Sequence, residues 1–310
     1  MSSPVLVELC AGMVGLSLRL AGRQRLVKYR GGKWKLARDL MALGGIKPPP
    51  RFVWAEANPH TRRFLATFSD PEVSTGAVEV MSAWISEGPE AMVARWCALS
   101  KTFKTLGQLD TSDAEFCAAF YLWRQVEGLP GLPNTPHLGL LLADGAIKNH
   151  ELYPRDWIVE KISAAALTFS GMAAEIYDDA ASVQPFRDAV VYVDPPYAGT
   201  HGYSALDLSR ERVVELALAW DRAGAQVIVS EGSPVEELVA KGWHSCRIAD
   251  RLGCGQECKP EHVTTNRAPY SNFPDFSWEE PAPGPRRSLT RRTKTRGPGQ
   301  SPRSTSPRTR

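Results

Sequence analysis

Hydrophobic positions near the start of the chain form a short run, a break and then a second pattern of different spacing. Val5 to Leu9 is a mostly apolar run that predicts a buried strand. The next six residues, CAGMVG, hold two glycines and predict a tight turn. Apolar residues over 16–21 then recur with the spacing of one helix face. The pattern therefore predicts a strand, a glycine turn and a helix.

A second unit of the same kind follows at residues 51–68. The run FVWAE predicts a strand that ends on Glu56, and Asn58 followed by Pro59 is a typical helix start. Strands that alternate with helices favour an open, mostly parallel sheet covered on both faces, so the predicted fold class is α/β and doubly wound. The other predicted elements are strands at 175–177, 190–193 and 226–229 and helices at 209–223 and 234–240.

A long segment, 70–172, separates the second and third predicted strands. Its spacing is largely helical, with a proline-rich interruption, LPGLPNTP, at 129–136. Because it is far too long for a simple crossover, it predicts an inserted subdomain, and such insertions usually carry substrate recognition. The predicted organisation is a sheet domain in two parts, 1–69 and 173–280, with a mainly helical insertion between them and a disordered basic tail at 281–310.

Charge is concentrated at the C-terminal end. The formal net charge of the 310-residue chain is +3, but the last 25 residues hold nine Lys or Arg and no acid. The other 285 residues hold 28 basic against 34 acidic side chains, so the predicted sheet domain is mildly acidic. The tail lacks the apolar side chains needed to fold alone. It either neutralises the phosphates of a polyanion or is a solvated appendage, and the sequence leaves both interpretations open.

Composition excludes several classes of protein. The longest apolar runs fall far short of the roughly 20 residues that span a bilayer, and the first residues lack the basic region of a signal peptide. The six cysteines are too sparse for a disulfide scaffold in a chain of this length. The sequence therefore predicts a cytoplasmic protein with no membrane partner, and it is compatible with a monomer.

Four soft metal ligands lie close together in the sequence, namely Cys246, Cys254, Cys258 and His262. Structural zinc sites usually use paired ligands with short, regular spacers. The spacing here is irregular, so we expect an ordinary thiol-bearing loop at these positions and predict no metal site.

The turn after the first strand is the first candidate for ligand binding. In open parallel sheets, ligands bind outside the carboxyl ends of the strands. Residues such as Gly12 and Gly15 let the backbone approach a ligand closely. Glu8, at the end of the strand, would repel a pyrophosphate but attract an ammonium group. The turn therefore favours S-adenosylmethionine, which has an amino-acid end, a sulfonium, a ribose and an adenine, over NAD.

Two further segments complete this candidate site. Glu56, at the end of the second predicted strand, has the position of an acid that accepts both ribose hydroxyls. The segment KYRGGK at 28–33 precedes an amphipathic helix, so its backbone N–H groups and Lys33 offer a clamp for a carboxylate or a phosphate. A plain basic turn before that helix is the alternative interpretation.

The run VVYVDPPY at 190–197 ends the fourth predicted strand on a rigid group of acceptors. Pro195 and Pro196 fix φ and have no N–H to donate, so they hold the Asp194 carboxylate and the neighbouring carbonyls in place. Such a group suits an exocyclic amine, which presents two protons. Accepting both protons makes the nitrogen lone pair available to attack a methyl group. Tyr197 would stack on the base that carries the amine.

These segments resemble those of the Dam-like DNA adenine N6-methyltransferases. VVYVDPPY is similar to the catalytic motif of that family, YRGGK at 29–33 to its Y-x-G-G-K element, and EHVTTN at 261–266 to its closing strand. Asp179 falls where the family has an acid near the cofactor adenine, with Asp178 an equally valid alignment. The resemblance implies a Rossmann-like catalytic domain, S-adenosylmethionine as cofactor and DNA as substrate, with the target adenine flipped out of the helix.

The resemblance also assigns the residues of the site. It implies that the DPPY residues are catalytic, namely Asp194, Pro195, Pro196 and Tyr197. It implies a cofactor site formed by Glu8, Cys10, Ala11, Gly12, Gly15, Tyr29, Gly32, Lys33, Glu56 and Asp179. Basic residues of the insertion are candidate DNA contacts, namely Lys101, Lys104, Arg124, Lys148 and Arg155.

The segments at 7–22 and 52–68 also resemble the first two elements of the DNA cytosine C5-methyltransferases. Those enzymes need a cysteine after a proline as the nucleophile that attacks the ring carbon. No cysteine here follows a proline, which excludes C5 chemistry. The alternatives to adenine N6 are methylation of cytosine N4 or of adenine in RNA and, from another class, a catalytically silent DNA-binding protein on the same fold.

Truncation after Glu280 tests the role of the tail. If the tail neutralises phosphates, truncation weakens DNA binding and flattens the dependence of log affinity on log salt, because fewer counterions are released. Binding isotherms at several salt concentrations, for the full and the truncated chain, measure that slope. An unchanged slope would show that the tail is a solvated appendage.

Overall fold

The protein is described by a computed structural model, which divides the chain into residues 1–276 and residues 277–310. All described residues belong to the first unit. They are 5–12, 14–22, 37, 40, 51–88, 91, 94, 95, 98, 99, 111–126, 172, 174–196, 208–252 and 258–267. No helix among them is both long and apolar enough to cross a membrane.

Seven strands within these ranges form one mixed, mostly parallel sheet, in the order β3-β2-β1-β4-β5-β7-β6. The first five strands of that order are parallel, and β7 runs antiparallel to β5 and to β6. The α/β fold predicted from the sequence is confirmed. The strands are β1 (Leu6–Leu9), β2 (Phe52–Ala55), β3 (Ala174–Tyr177), β4 (Val190–Val193), β5 (Gln226–Glu231), β6 (His244–Leu252) and β7 (Cys258–Thr265).

The burial of the central strands explains why short apolar runs in the sequence predict them. Every residue of β1, β2, β4 and β5 is buried. Parallel strands covered on both faces must be apolar on both faces, so they appear in the sequence as continuous runs rather than as alternation. The helices with described bounds are α1 (Gly15–Leu20), α2 (Pro59–Phe68), α3 (Pro71–Ser86), α4 (Asp113–Val126), α5 (Arg210–Arg222) and α6 (Glu236–Val239).

Helices pack on both faces of the sheet. One core cluster joins residues of α1 to α4, such as Leu16, Phe64 and Phe116, to the side chains on one face. A second cluster joins α5 and α6 to the other face through residues such as Trp220 and Leu238. Because the two layers cover both faces, a ligand is expected to bind at the carboxyl end of the sheet, where the strands stop and the loops begin.

Polar residues cap α2 and α5 where the sequence predicted these two helices to begin. The Asn58 Oδ1 accepts hydrogen bonds from the N–H groups of His60 at 3.0 Å and Thr61 at 3.2 Å, and thereby caps α2. The Ser209 Oγ accepts from the N–H of Arg212 at 3.3 Å at the start of α5. These caps fix the direction in which each helix leaves the carboxyl edge of the sheet.

Two helices of the segment 70–172 are described, and both belong to the core. α3 and α4 contact each other, and Met81 and Phe120 lie in the same cluster as Phe64 of α2. This part of the segment is therefore integrated into the layer that covers the sheet. Residues 127–171 lie outside the described part, as do the side chains of the five basic candidates for DNA contact. The role of the insertion in target recognition stays a prediction.

The strand β6 was not predicted from the sequence. Among the described strands it is the last in the sheet order, with β7 as its neighbour. His244 and Arg247 are exposed and Ile248 is buried, so the run lacks the continuous apolar character of the inner strands. β7, of which the sequence predicted 261–266, begins earlier, at Cys258.

Strand register separates most of the four soft ligands considered for zinc. Cys246 lies opposite Val263, which is five positions from Cys258, so the two cysteine backbones are about 17 Å apart along the ladder. His262 is adjacent to Val263, so its side chain points away from the face of Cys246. Cys254 lies outside the described residues. Within the described ranges, no three His, Cys, Asp or Glu side chains are placed to hold a metal ion.

Asn266 fastens the end of β7 to the parallel part of the sheet. Its Oδ1 accepts a hydrogen bond from the Val227 N–H at 2.9 Å, and its Nδ2 donates to the Ala225 carbonyl at 2.9 Å and to the Asp221 carboxylate at 2.5 Å. One amide thus satisfies backbone groups at the turn between α5 and β5. The antiparallel hairpin is held against β5 by this side chain as well as by its ladder.

Asn266→Ala is expected to lower the free energy of unfolding by about 2 to 3 kcal/mol, because it leaves a partly buried N–H and a carbonyl without their partner. Equilibrium denaturant unfolding measures the loss. The matched control is Arg267→Ala, which removes one exposed hydrogen bond of 3.4 Å to the Gly224 carbonyl and should change little. Equal effects of the two substitutions would contradict the role given to Asn266.

Candidate functional site

The candidate site lies at the carboxyl edge of the sheet, where the strand order reverses. β1 has β2 on one side and β4 on the other, and Leu9 is level with Ala55 and with Val193. The three strands therefore end together. Connections leave β1 and β4 toward opposite faces at such a point, which opens a crevice for a ligand.

Hydrogen bonds hold the residues that follow these strand ends. The Ala11 N–H donates to the Ala55 carbonyl at 2.9 Å, and the Asp194 N–H donates to the Leu9 carbonyl at 3.2 Å. The loop after β1 is thus attached to β2, and the DPPY motif is attached to β1. Sequence separation hides this proximity, because the three segments lie far apart in the chain.

The turn between β1 and α1 is tight because alternate residues have left-handed backbone angles. φ is 60° at Cys10, 53° at Gly12 and 44° at Val14. A glycine adopts this conformation without strain, whereas Cys10 and Val14 do so at a cost of about 1 to 3 kcal/mol each. The Val14 N–H donates to the Ala11 carbonyl at 2.9 Å, and Gly15 begins α1. The predicted glycine turn is confirmed.

Glu56 binds this turn directly. Its Oε2 accepts a hydrogen bond from the Gly12 N–H at 2.6 Å, and its Oε1 accepts from the Asn58 N–H at 2.8 Å. The carboxylate follows β2 as the sequence predicted and is 9% exposed. It therefore connects the β1 turn to the start of α2, a structural role that the spacing of residues did not reveal.

Glu8 lies within β1 rather than beyond its end. It is 3% exposed and sits level with Trp54 and Tyr192 on neighbouring strands, so it is enclosed in the core face of the sheet. Its Oε1 accepts from the Ser17 N–H at 2.7 Å, and the Trp54 Nε1 donates to the Ser17 Oγ at 2.9 Å. Glu8 thus supplies the negative group at the start of α1, where the N-cap Val14 has no side chain to do so.

Burial dominates the ionisation of Glu8. Loss of hydration raises the pKa of this carboxyl to about 7, although the hydrogen bonds from Ser17 act in the opposite direction. The negative charge of Asp194, which follows the neighbouring strand β4, contributes to this rise. The Glu8 carboxyl therefore titrates nearer to neutral pH than an exposed glutamate does.

The pKa of the Cys10 thiol is affected by several acids at the carboxyl edge of the sheet. Burial raises the pKa of its thiol, and the negative charges of Glu56, Asp194 and Asp179 raise it further. These acids follow β2, β4 and β3, so carboxylates from three strand ends act on one point. A thiol with a raised pKa stays protonated at neutral pH and is a poor nucleophile.

Asp179 and Asp178 occupy different positions after β3. The Asp179 carboxylate accepts from the Ala181 N–H at 3.1 Å and begins a short 3-10 helix at Ala180–Ser182. The Asp178 carboxylate accepts from the Ser182 hydroxyl at 3.3 Å. Both acids are exposed. Asp179 follows β3, which pairs with β2, and its negative charge acts in the direction that raises the pKa of the Cys10 thiol.

The structure describes ten of the fourteen predicted site residues. Asp194 and Pro196 are half-buried and Pro195 is buried, directly after β4. Tyr197, Tyr29, Gly32 and Lys33 lie outside the described residues. The described members of the acidic edge and its turn are Glu8, Cys10, Ala11, Gly12, Gly15, Glu56, Asp179 and Asp194.

Ser17, Trp54 and Arg62 take part in the site but were not singled out from the sequence. The sequence offered one weak indication for Ser17, which is a polar residue between Leu16 and Leu18, and the structure shows that it is buried. Trp54 resembles any core aromatic residue until its Nε1 is seen to donate to Ser17. Arg62 resembles an ordinary surface cation of α2, although it donates to backbone carbonyls of two loops.

The substitution Glu8→Gln tests whether the pKa of the buried Glu8 carboxyl is raised. The folded carboxyl has a pKa of about 7 against an ordinary 4.5, so between these values the folded state binds more protons than the unfolded state. Stability due to Glu8 is therefore lost as pH rises through this window. We expect the free energy of unfolding of Glu8→Gln, relative to the unaltered protein, to rise by about 2 to 3 kcal/mol between pH 5 and pH 8.

Denaturant unfolding at several pH values measures this difference. Glu79→Gln, on the exposed face of α3, is the matched substitution and removes the same charge from the surface. A difference between Glu8→Gln and the unaltered protein that stays constant from pH 5 to pH 8 would contradict the raised pKa.

Comparison with known proteins does not assign the chain to a family. No protein-family model matches it, and no curated protein matches it. The activity must therefore be inferred from the residues at the carboxyl edge of the sheet.

Proposed function

We propose that the protein is an S-adenosylmethionine-dependent methyltransferase that acts on the N6 amine of adenine in DNA. The observation that carries the proposal is the position of acidic side chains at the ends of three strands, namely Glu56 after β2, Asp179 after β3 and Asp194 after β4, around one glycine turn. Asp194 is tied to that turn through the Leu9 carbonyl. A group of acceptors that suits an amine substrate thus lies beside a turn that suits a cationic nucleoside.

Charge supports this cofactor over one with a pyrophosphate. Sites for phosphate present free backbone N–H groups and cations. Here the Gly12 N–H donates to Glu56, and Asp179 and Asp194 add further negative charge. When bound, S-adenosylmethionine supplies a methyl group carried by a positively charged sulfonium, and nearby carboxylates stabilise such a charge.

The positions of the acids suggest how the nucleoside would be held. Glu56 and Asp179 follow the adjacent strands β2 and β3, and the Glu56 N–H donates to the Tyr177 carbonyl at 3.1 Å. We assign the ribose hydroxyls to Glu56 and the adenine end to Asp179. The turn at 10–12, which lies on the other side of Glu56, would face the remainder of the cofactor.

Asp194 and the Pro195 carbonyl are assigned to the target amine. An adenine amine is a weak nucleophile because its lone pair is delocalised into the ring. Acceptors for both of its protons favour a tetrahedral nitrogen with an available lone pair. Asp194 does not need to be a strong base, because the amine loses a proton only as positive charge develops on the nitrogen.

DNA is the proposed polymer for two reasons. The DPPY motif resembles that of enzymes that methylate adenine in DNA, and the chain ends in a segment of nine Lys or Arg without an acid. The amines of adenine in RNA and of cytosine N4 offer the same two protons. A silent DNA-binding protein would not need Asp194 and two prolines at the point where they meet the turn, so these residues count against that interpretation.

Transfer of a tritiated methyl group from S-adenosylmethionine tests the proposal. Unmethylated DNA, RNA and DNA lacking adenine are offered in parallel, and the labelled base is identified after digestion. Label in N6-methyladenine of DNA supports the proposal. Label in cytosine or only in RNA identifies another substrate, and DNA binding without label supports the silent protein.

Asp194→Asn is expected to lower the rate of transfer by about 100-fold or more, because it removes the negative charge and replaces one of the two acceptor oxygens with an N–H donor. Affinity for S-adenosylmethionine, measured by titration calorimetry, should change little. Asp188→Asn is the matched control, because Asp188 lies at the opposite end of the same strand. An equal loss of cofactor affinity and of transfer in Asp194→Asn would show that the assignment is wrong.

A further inference from the structure

Arg62 connects two loops of the candidate site through their backbones. Its guanidinium NH1 donates to the carbonyls of Glu56 at 3.0 Å and of Ala57 at 3.3 Å, both in the loop after β2. The same nitrogen lies 3.4 Å from the carbonyl of Asp178, in the loop after β3. One half-buried cation therefore spans the gap between two strand ends.

Helix geometry explains why Arg62 reaches these loops. Its N–H donates to the Asn58 carbonyl at 2.9 Å in the first turn of α2, and Asn58 caps that helix. Side chains of a helix lean toward its N-terminus, so the guanidinium extends back over the residues that precede the helix. The cap that starts α2 thus also aims Arg62 at the carboxyl edge.

The two loops carry acids that would otherwise repel each other. Glu56 belongs to one loop, and Asp178 and Asp179 belong to the other. A guanidinium presents several donors in a fixed plane and is always charged, so it both bonds the carbonyls and offsets the negative charge around them. Arg62 thus joins the loop that carries Glu56 to the loop that carries Asp178 and Asp179, in addition to the backbone bond from the Glu56 N–H to the Tyr177 carbonyl.

We infer that Arg62 is a positioning residue that sets the distance between the loops after β2 and β3, and so shapes the nucleoside end of the cofactor site. The inference rests on the proposed function for its cofactor. Arg62 itself is turned toward backbone carbonyls, so it acts through Glu56 and Asp179. Its loss affects the binding of the cofactor and leaves the group of acceptors at Asp194 in place.

Arg63 provides a matched control on the same helix. Its guanidinium donates to the Asp113 carboxylate and, at 3.2 Å, to the Thr111 carbonyl, and it lies 4.5 Å from the centre of the Phe116 ring. These contacts join α2 to α4 instead of to the carboxyl edge. Arg63→Ala therefore removes an equal side chain and an equal charge without touching the two loops.

The first experiment measures amide hydrogen exchange in the full-length protein without any ligand. Arg62→Ala is expected to raise exchange at residues 56–58 and 178–182 by about tenfold, because hydrogen bonds to a charged group hold those loops. Arg63→Ala is expected to raise it at residues 111–116 instead. The same pattern in both variants, or no change at 178–182 in Arg62→Ala, would overturn the inference.

The second experiment separates binding from chemistry. Arg62→Ala is expected to raise the Kd and the KM for S-adenosylmethionine about tenfold while kcat at saturating cofactor stays within about twofold. Arg62→Lys, which keeps a cation but not the planar fork, should recover part of the affinity. Arg63→Ala should keep the original affinity. A fall in kcat with unchanged KM in Arg62→Ala would overturn the inference.

The two experiments distinguish failure of the inference from failure of the proposed function. A wild-type chain that neither binds S-adenosylmethionine nor transfers its methyl group would overturn the proposed function and the cofactor part of this inference. The hydrogen-exchange experiment needs no ligand, so it would still test whether Arg62 keeps the loops after β2 and β3 in place. Wild-type binding and transfer with equal affinities in Arg62→Ala and Arg63→Ala would overturn the inference alone.

Discussion

The pairing of β1 on both of its edges is the constraint on which the rest of the structure depends. This strand has four residues, all buried, and Leu9 is level with both Ala55 and Val193. A slip of one residue would turn each buried side chain to the opposite face. Apolar packing therefore fixes the register, and the register brings Cys10, Glu56 and Asp194 to the same place.

Two features of this edge oppose stability. Glu8 places a carboxyl in the core, and left-handed angles at Cys10 and Val14 are tolerated only because hydrogen bonds hold the turn. Ser17 and the start of α1 stabilise the Glu8 carboxylate in part. A buried carboxyl and left-handed angles at residues other than glycine are both unfavourable, and they occur at the carboxyl edge where the acids lie. Such unfavourable features are expected at functional sites more than elsewhere in a fold.

The fold was predictable where one residue pattern has one structural solution. The inner strands, such as the VVYV run of β4, are apolar on both faces, and Asn58 and Ser209 are strong helix starts. Edge strand β6 was missed because exposed residues such as Arg247 interrupt its apolar pattern. The pattern of apolar residues in a sequence predicts a strand buried on two faces much better than an irregular strand buried on one face.

The site was predictable only as a set of strand ends. Sequence patterns placed Glu56 and Asp194 directly after strands, and parallel strands must end at a common edge. The bond from Gly12 to Glu56 joins residues 44 positions apart, so no local pattern reveals it. Glu8 was expected to face a ligand, but the register encloses it between Trp54 and Tyr192 and beneath α1. Hydrogen bonds of this kind follow from packing and are invisible before it is known.

The double pairing of β1 also governs when the protein is able to fold. β1 begins at Leu6, but its partner β4 begins at Val190, so most of the chain must be synthesised before the central strand is complete. Until then, a growing chain has an apolar strand with one open edge, which is a template for wrong pairing with other chains. Closing so long a loop is slow. The arrangement that assembles the acidic edge therefore leaves the second edge of β1 open until β4 has been synthesised.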